Sequence, residues 1–187
     1  METLKVALIG KRPLLMNCDE LADPLNENAK YFKSLNGKRK KTQEDHEDIA
    51  KISWLGSLYC DEVGPFITGL MVEASLIGGG RLKSKGKEFE RGCEVMDEKC
   101  YLIYDGPKTP EELWKEGFYD VRNVKVGGKR IPRYRPIFTR WEAQAQIMFD
   151  PKITSEDQII ASFSDAGDYI GIGDFRPKFG RYKIEVL

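Results

Sequence analysis

Between Gly167 and Tyr182 the chain carries four glycines, two arginines, one lysine and four aromatic residues. Glycine lets a backbone approach a ligand closely or adopt positive φ, Arg and Lys supply charge, and aromatic rings supply stacking faces. Arg176, Lys178 and Arg181 are therefore candidates for phosphate contact, and Phe175 and Phe179 for base stacking or subunit assembly. A glycine-rich turn closing a small domain is the plainer reading of the same residues. A second cationic stretch runs from Val121 to Trp141, where Arg122, Lys125, Lys129, Arg130, Arg133, Arg135 and Arg140 occur with no acid among them. Val124, Val126, Ile131, Tyr134, Ile137 and Phe138 are interleaved with these cations, and Gly127-Gly128 predicts a hairpin turn. Such a ribbon suits backbone contact plus base stacking, with Arg130, Arg133 and Arg135 as the foremost contacts. A solvated hairpin face is the alternative. Two shorter runs, Lys38-Arg39-Lys40-Lys41 and Arg81 to Lys87 with Lys83 and Lys85, fit either phosphate contact or ordinary basic turns.

This segregation is hidden in the totals: 30 Lys and Arg balance 30 Asp and Glu, for a formal net charge of +0. No global basic field steers the chain toward nucleic acid, so any such site is local. Other chemistries find less support. His46 is the single histidine and lies in an acidic helical turn, where an exposed residue is a better reading than a catalytic base. Cys18, Cys60, Cys93 and Cys100 contain no C-x-x-C pair, so neither metal-ligand spacing nor a disulfide scaffold is indicated, and reduced structural thiols are expected. The triple glycine at Gly78-Gly79-Gly80 invites a phosphate-loop reading, but Gly86-Lys87 is followed by Glu88, and the nucleotide-binding pattern is not matched. No cofactor or metal is expected. No apolar run approaches the length needed to cross a bilayer and no signal peptide is evident, so a soluble cytoplasmic protein is expected.

At 187 residues the chain has room for one domain with a full core plus insertions. Leu4 to Ile9 reads as a first strand. A helix starts after Thr42, whose first turn holds Glu44 and Asp45. Leu58 to Cys60 suggests a short strand. Leu70 to Ile77 forms a compact helix capped by Thr68, ended or frayed by the triple glycine. Cys100 to Tyr104 is a strand, and Thr109-Pro110-Glu111-Glu112 opens a short helix. Trp141, Ala143, Ala145, Ile147 and Phe149 alternate on one face of a strand. Thr154 or Ser155 caps a helix with Ile159, Ile160, Phe163 and Ala166 on one side, and Tyr182, Ile184 and Val186 alternate in a last strand. In order, these elements give an α+β fold with a modified ferredoxin-like, RRM-like βαββαβ core carrying helical and β-hairpin insertions. The expected organisation is a single domain over 1–187 with insertions at about 11–65 and 81–137.

Gly64-Pro65-Phe66-Ile67-Thr68-Gly69 followed by a helix resembles the P-x-I-P-G-S-S-L-K-G helix entry of RAMP proteins, the CRISPR effector-backbone superfamily. Gly171 to Arg181 is similar to their glycine-rich loop, which also lies between the second helix and the last strand. Thr68 stands where that entry usually has proline, and Asp174 places an acid in the loop. Over most of its length the chain also resembles uncharacterised phage proteins carrying L-A-D-P-L, K-R-K-K-T and G-D-x-R-P-x-x-G-R, here Leu21 to Leu25, Lys38 to Thr42 and Gly173 to Arg181. The resemblance implies an RRM-like sheet, a single-stranded RNA or DNA ligand bound without sequence preference, and head-to-tail assembly into a homo-oligomer or multi-subunit filament. A phage origin would place it in the host cell cytoplasm. Some RAMP subunits cut RNA with an acid in the loop after the first strand. Asp19, Glu20 and Asp23 occupy that loop here, so a metal-dependent endoribonuclease using Asp23 is the alternative, unless Asp23-Pro24 simply starts a turn. A phage structural or protein-binding factor without nucleic acid is the third possibility.

Overall fold

The first strand, β1 (Glu2–Gly10), alternates Leu4, Val6 and Leu8 toward the interior with exposed Thr3 and Lys5 on the other side. The computed structural model describes residues 1–187 except the side chains of Val126 and Lys129, the latter one of the cations expected in the basic ribbon. After β1 come β2 (Leu14–Leu15), a 3-10 helical turn at Glu20–Ala22, α1 (Glu27–Gly37) and α2 (Gln43–Leu55). Then follow β3 (Phe66–Thr68), α3 (Gly69–Arg81), α4 (Gly86–Gly92), β4 (Cys93–Val95), β5 (Lys99–Ile103) and α5 (Pro110–Lys115). The chain closes with β6 (Tyr119–Val126), β7 (Lys129–Phe138), β8 (Glu142–Phe149), α6 (Glu156–Asp165), a π-helical turn at Ala166–Ile170 and β9 (Tyr182–Val186).

The main sheet runs β3-β5-β8-β1-β9, every neighbour antiparallel, with β4 sharing the outer edge of β8 beside β5. Counting β4 and β5 as one strand broken at Met96–Glu98, the core is β1-α3-β4/β5-β8-α6-β9 in the spatial order fourth, first, third, second. That is the ferredoxin-like, RRM-like α+β architecture. Asp97 closes the break: its carboxylate accepts the Gln146 amide at 2.6 Å, which the interrupted ladder leaves free. Val72 and Leu76 of α3 with Ile159 and Phe163 of α6 cover Leu4, Val6, Leu8, Ala143, Ala145 and Ile147 on one face of the sheet, and all these side chains are buried. At the start of β9, the Tyr182 hydroxyl shares a buried 2.8 Å hydrogen bond with Ser75 of α3.

Several local signals act as the sequence indicates. Thr42 and Asp45 form a reciprocal capping box on α2, Thr68 and Thr109 cap α3 and α5, and Ser155 with Gln158 caps α6. Two expectations need correction. Leu58 to Cys60 forms no strand, contributing a single bridge between Cys60 and Pro65. The triple glycine does not end α3; the helix runs through it to Arg81. A Cβ on Gly79 would sit 2.0 Å from the Ser162 carbonyl oxygen, and one on Gly80 would lie 2.3 Å from the Phe89 ring. The glycines are thus where α6 and α4 approach the helix backbone, and the Ser162 hydroxyl completes the contact by donating to Leu76 O at 2.7 Å.

A second sheet, β2-β7-β6, stands outside this core. Leu14 and Leu15 pair with Phe138 and Ile137, fixing the base of the hairpin to the segment just after β1. Trp54, Trp114, Phe118, Tyr119, Tyr134 and Phe138 pack there with tilted or edge-on rings, and Trp54 Nε1 donates to Phe118 O at 2.9 Å. At the tip, Val126 faces Lys129 across Gly127 and Gly128, whose φ of 54° and 83° make the two-residue turn that suits a twisted hairpin.

Candidate nucleic-acid interface

In the ladder of β6 with β7, Arg122 stands directly opposite Arg133, and Asp120 opposite Arg135. Side chains alternate along a strand, so Arg122, Arg133 and Arg135 share one face, while Arg130, opposite Lys125, belongs to the other. The first face meets the glycine-rich loop. Arg135 Nε lies 2.8 Å from Asp174 Oδ2; that oxygen has no partner in hydrogen-bonding alignment, so the contact is an ion pair. Arg122 makes a two-pronged contact with Asp120, at 2.6 and 3.2 Å. Its guanidinium also lies over the rings of Phe179 and Phe175, at 4.9 and 5.7 Å from their centroids. The two rings meet edge to face at 6.0 Å.

The loop is a built platform. Asp174 N donates to Leu15 O and Gly180 N to Pro13 O, both at 2.8 Å, while Ile172 N reaches Gly180 O at 2.9 Å. Gly173 and Gly180 take φ of 81° and 69°, and a Cβ on either would run into a carbonyl oxygen, at 2.5 Å from Leu15 and 1.7 Å from Ile172 respectively. Ile172 is buried beneath. Arg181 braces the loop, its Nε donating to Pro177 O at 2.9 Å. Arg176 and Lys178 are exposed and enter no ion pair among the described residues. Neither does Arg133, which together with Arg135, Asn17, Ser57 and Val124 lines a hollow of 290 Å³ beside the ribbon.

The shorter basic runs are arranged differently. Lys38 Nζ lies 2.5 Å from Asp45, and Lys41 Nζ donates to the carbonyls of Asn36 and Lys38 at 3.0 Å. The Lys38 hydrogen bond, followed by that from Thr42 N, holds the Asp45 carboxyl below the usual range, and the same contact raises the Lys38 ammonium. Arg39 and Lys40 remain exposed. The Lys83 and Lys85 segment is a turn leading into α4, with Lys83 2.5 Å from Asp165 and Lys85 3.8 Å from Glu88. Asp23 accepts the Leu25 amide at 2.9 Å, which is the turn that Asp-Pro initiates, and Glu20 accepts from Asn26 Nδ2. Among the described residues no three His, Cys, Asp or Glu side chains are grouped so as to hold a metal ion. Burial pushes the thiols of Cys60 and Cys93 up to about 11 and that of Cys100 to about 12, so none of these is a ready nucleophile at neutral pH.

Sequence reasoning did not find the stacking of Arg122 on the two phenylalanines, because it joins residues more than fifty positions apart. It also did not find the character of the open sheet face, which presents Lys5, Gln144, Gln146, Lys183 and Glu185 on β1, β8 and β9, and Tyr101 on β5, whose ring meets that of Phe66 edge-on at 5.9 Å. No helix is long and apolar enough to cross a membrane.

No protein-family model matches the sequence, and no curated protein matches it. Among solved structures, the fold is similar to that of a chain in the cryo-EM structure of the Type III-B Cmr-beta bound to cognate target RNA, with a TM-score of 0.52 and 11% identity. The likeness covers 100% of this chain and 59% of that one, so this protein spans less than two thirds of its neighbour's length. The similarity is one of fold, and it agrees with the ferredoxin-like element order of the core.

Proposed function

We propose that this protein binds single-stranded nucleic acid on the surface formed by the β6–β7 face and the glycine-rich loop. It does so largely without sequence preference, and neighbouring subunits share one strand. The observation that carries the reading is the direct opposition of Arg122 and Arg133 on one ribbon face, beside Arg135. Like charges facing each other across a ladder destabilise the hairpin unless an anion lies between or above them. Asp120 and Asp174 serve Arg122 and Arg135, but Arg133, Arg176 and Lys178 keep their charge for an external partner. The fold likeness to a chain of an RNA-bound complex supports testing RNA first. With one aromatic pair at the site, phosphate contact dominates over base reading, which favours sequence tolerance.

The test is fluorescence anisotropy with labelled oligo(U), oligo(dT) and a mixed-sequence RNA over a salt series. Replacing Arg133, Arg176 and Lys178 together by Gln should weaken binding to all three and flatten the plot of log K against log salt by about 2, at ~0.7 per lost phosphate contact. An unchanged slope removes this surface from the site.

A further inference from the structure

We propose that the groove between α1, α2 and strand β7 receives an amphipathic segment of a partner protein, apolar on one side and rich in Asp or Glu on the other. The groove encloses 860 Å³. Its floor is aliphatic, with Leu21 and Ala29 on one side, Ile49 and Ala50 of α2 beneath, and Ile131 and Pro132 of β7 opposite. Its rim carries Lys30, Lys33 and Lys41, together with Arg133, which it shares with the oligonucleotide surface, and no acid is among the described residues that line it. Lys33 and Arg133 have no carboxylate partner among the described residues, and the pair of Lys30 with Glu27 is open to solvent on both sides. A one-signed cationic rim above an aliphatic floor selects an acidic, amphipathic occupant.

The lining decides which class of acidic partner fits. A strand held through its phosphates has no group to fill an apolar floor; the rings that line the groove are Phe32, His46 and Tyr134. Tyr134 is already packed against Tyr119 and Trp114, at centroid distances of 5.9 and 6.0 Å. Branched aliphatic walls instead suit Leu, Ile or Phe side chains spaced along one side of a helix. The wall formed by α1 packs chiefly on α2 and the Glu20–Ala22 turn.

A displayed library of random peptides about 14 residues long, or four helical turns, tests this directly. Sequences enriched on the wild-type protein over bare support should share apolar residues at i, i+3 or i+4, and i+7, with a surplus of Asp and Glu. A labelled peptide made from that consensus should bind Lys30→Glu/Lys33→Glu at least about tenfold more weakly, because two rim charges change sign at exposed positions that the fold does not need. It should also bind Ala50→Glu more weakly, with circular dichroism confirming that each variant is folded. Absence of enrichment, a basic consensus, or unchanged affinity in the double variant overturns the proposal. If oligo(U) displaces the peptide and shifts the amide resonances of Ile49 and Ala50, the groove belongs to the nucleic acid, and the proposal falls as well.

Discussion

Asp174, like Asp120, is an acid inside a largely cationic surface, and it lies 2.8 Å from Arg135. It holds the guanidinium in place but competes with any phosphate for it. Asp174→Asn should therefore steepen the salt dependence of oligonucleotide binding by about 0.7, one phosphate contact, while lowering stability slightly; weaker binding would show that Asp174 positions Arg135 for the ligand. Asp61 illustrates a carboxylate used for stability instead. It accepts from Lys99 Nζ and Tyr101 Oη, each at 2.8 Å, and from the Val63 and Gly64 amides, and these bonds, that of Lys99 first, hold its pKa well below the usual carboxylate range. A depressed folded pKa means stabilisation that is fully present above the unfolded value of about 3.9 and is lost as pH falls through the folded one. Acid unfolding of Asp61→Asn, followed by circular dichroism, should be shallower than wild type below about pH 4. Identical curves would show that Asp61 is not linked to folding. At this scale the sequence reveals cations but not their partners. Arg176 and Lys178 could be singled out because nothing near them in sequence is acidic except Asp174. That Lys83 meets Asp165 depends on how α3 and α6 pack, which no local pattern encodes.

The triple glycine in α3 separates propensity from packing. Locally, three consecutive glycines favour a helix end, since each costs up to about 1 kcal/mol relative to Ala in a helix interior. The helix continues because Gly79 lets the Ser162 carbonyl of α6 approach its backbone. Gly79→Ala should therefore destabilise by about 1–3 kcal/mol in urea unfolding despite its better helix propensity. Gly37, where an added Cβ meets nothing within 4 Å, should respond oppositely, with Gly37→Ala gaining about 0.5 kcal/mol. If both variants shift stability in the same direction, helix–helix spacing is not what the glycine in α3 secures. Elements whose signal is periodic or capped were legible: β8 shows its alternation over Ala143, Ala145, Ile147 and Phe149, and α2 and α6 announce their caps. The break between β4 and β5 was not, since it is defined by Asp97 reaching an amide on another strand. Helix α1 begins where the Asn26 side chain accepts from the Asn28 and Ala29 amides.

Viewed whole, the protein has a balanced charge and a sheet whose open face is balanced too, with Lys183 2.5 Å from Glu185. The element order of the core could be read along the chain, but the apolar groove could not, because its walls come from segments around Leu21, Ile49 and Ile131. Where the hairpin meets the loop, Arg133, Arg176 and Lys178 enter no ion pair among the described residues, and this separates two modes of binding. Lys5→Ala/Lys183→Ala should leave oligonucleotide affinity within about twofold, as expected for exposed charges away from the ligand; a larger loss would move the strand onto the sheet. A ligand held at one end by a few cations gains little affinity per copy, and sharing one strand among copies raises it by effective concentration. Phe175, 44% exposed, is the ring available to a neighbour, whereas Phe179 is half-buried with the Arg122 guanidinium 4.9 Å from its centroid. The two should therefore separate: Phe179→Ala loosens Arg122 and weakens binding of a single copy to a short oligonucleotide, while Phe175→Ala spares that binding more and affects assembly. Light scattering with oligo(U) of increasing length should show stoichiometry rising with length for wild type and rising less for Phe175→Ala. One copy bound at every length would sink the shared-strand arrangement while leaving the single-copy site intact.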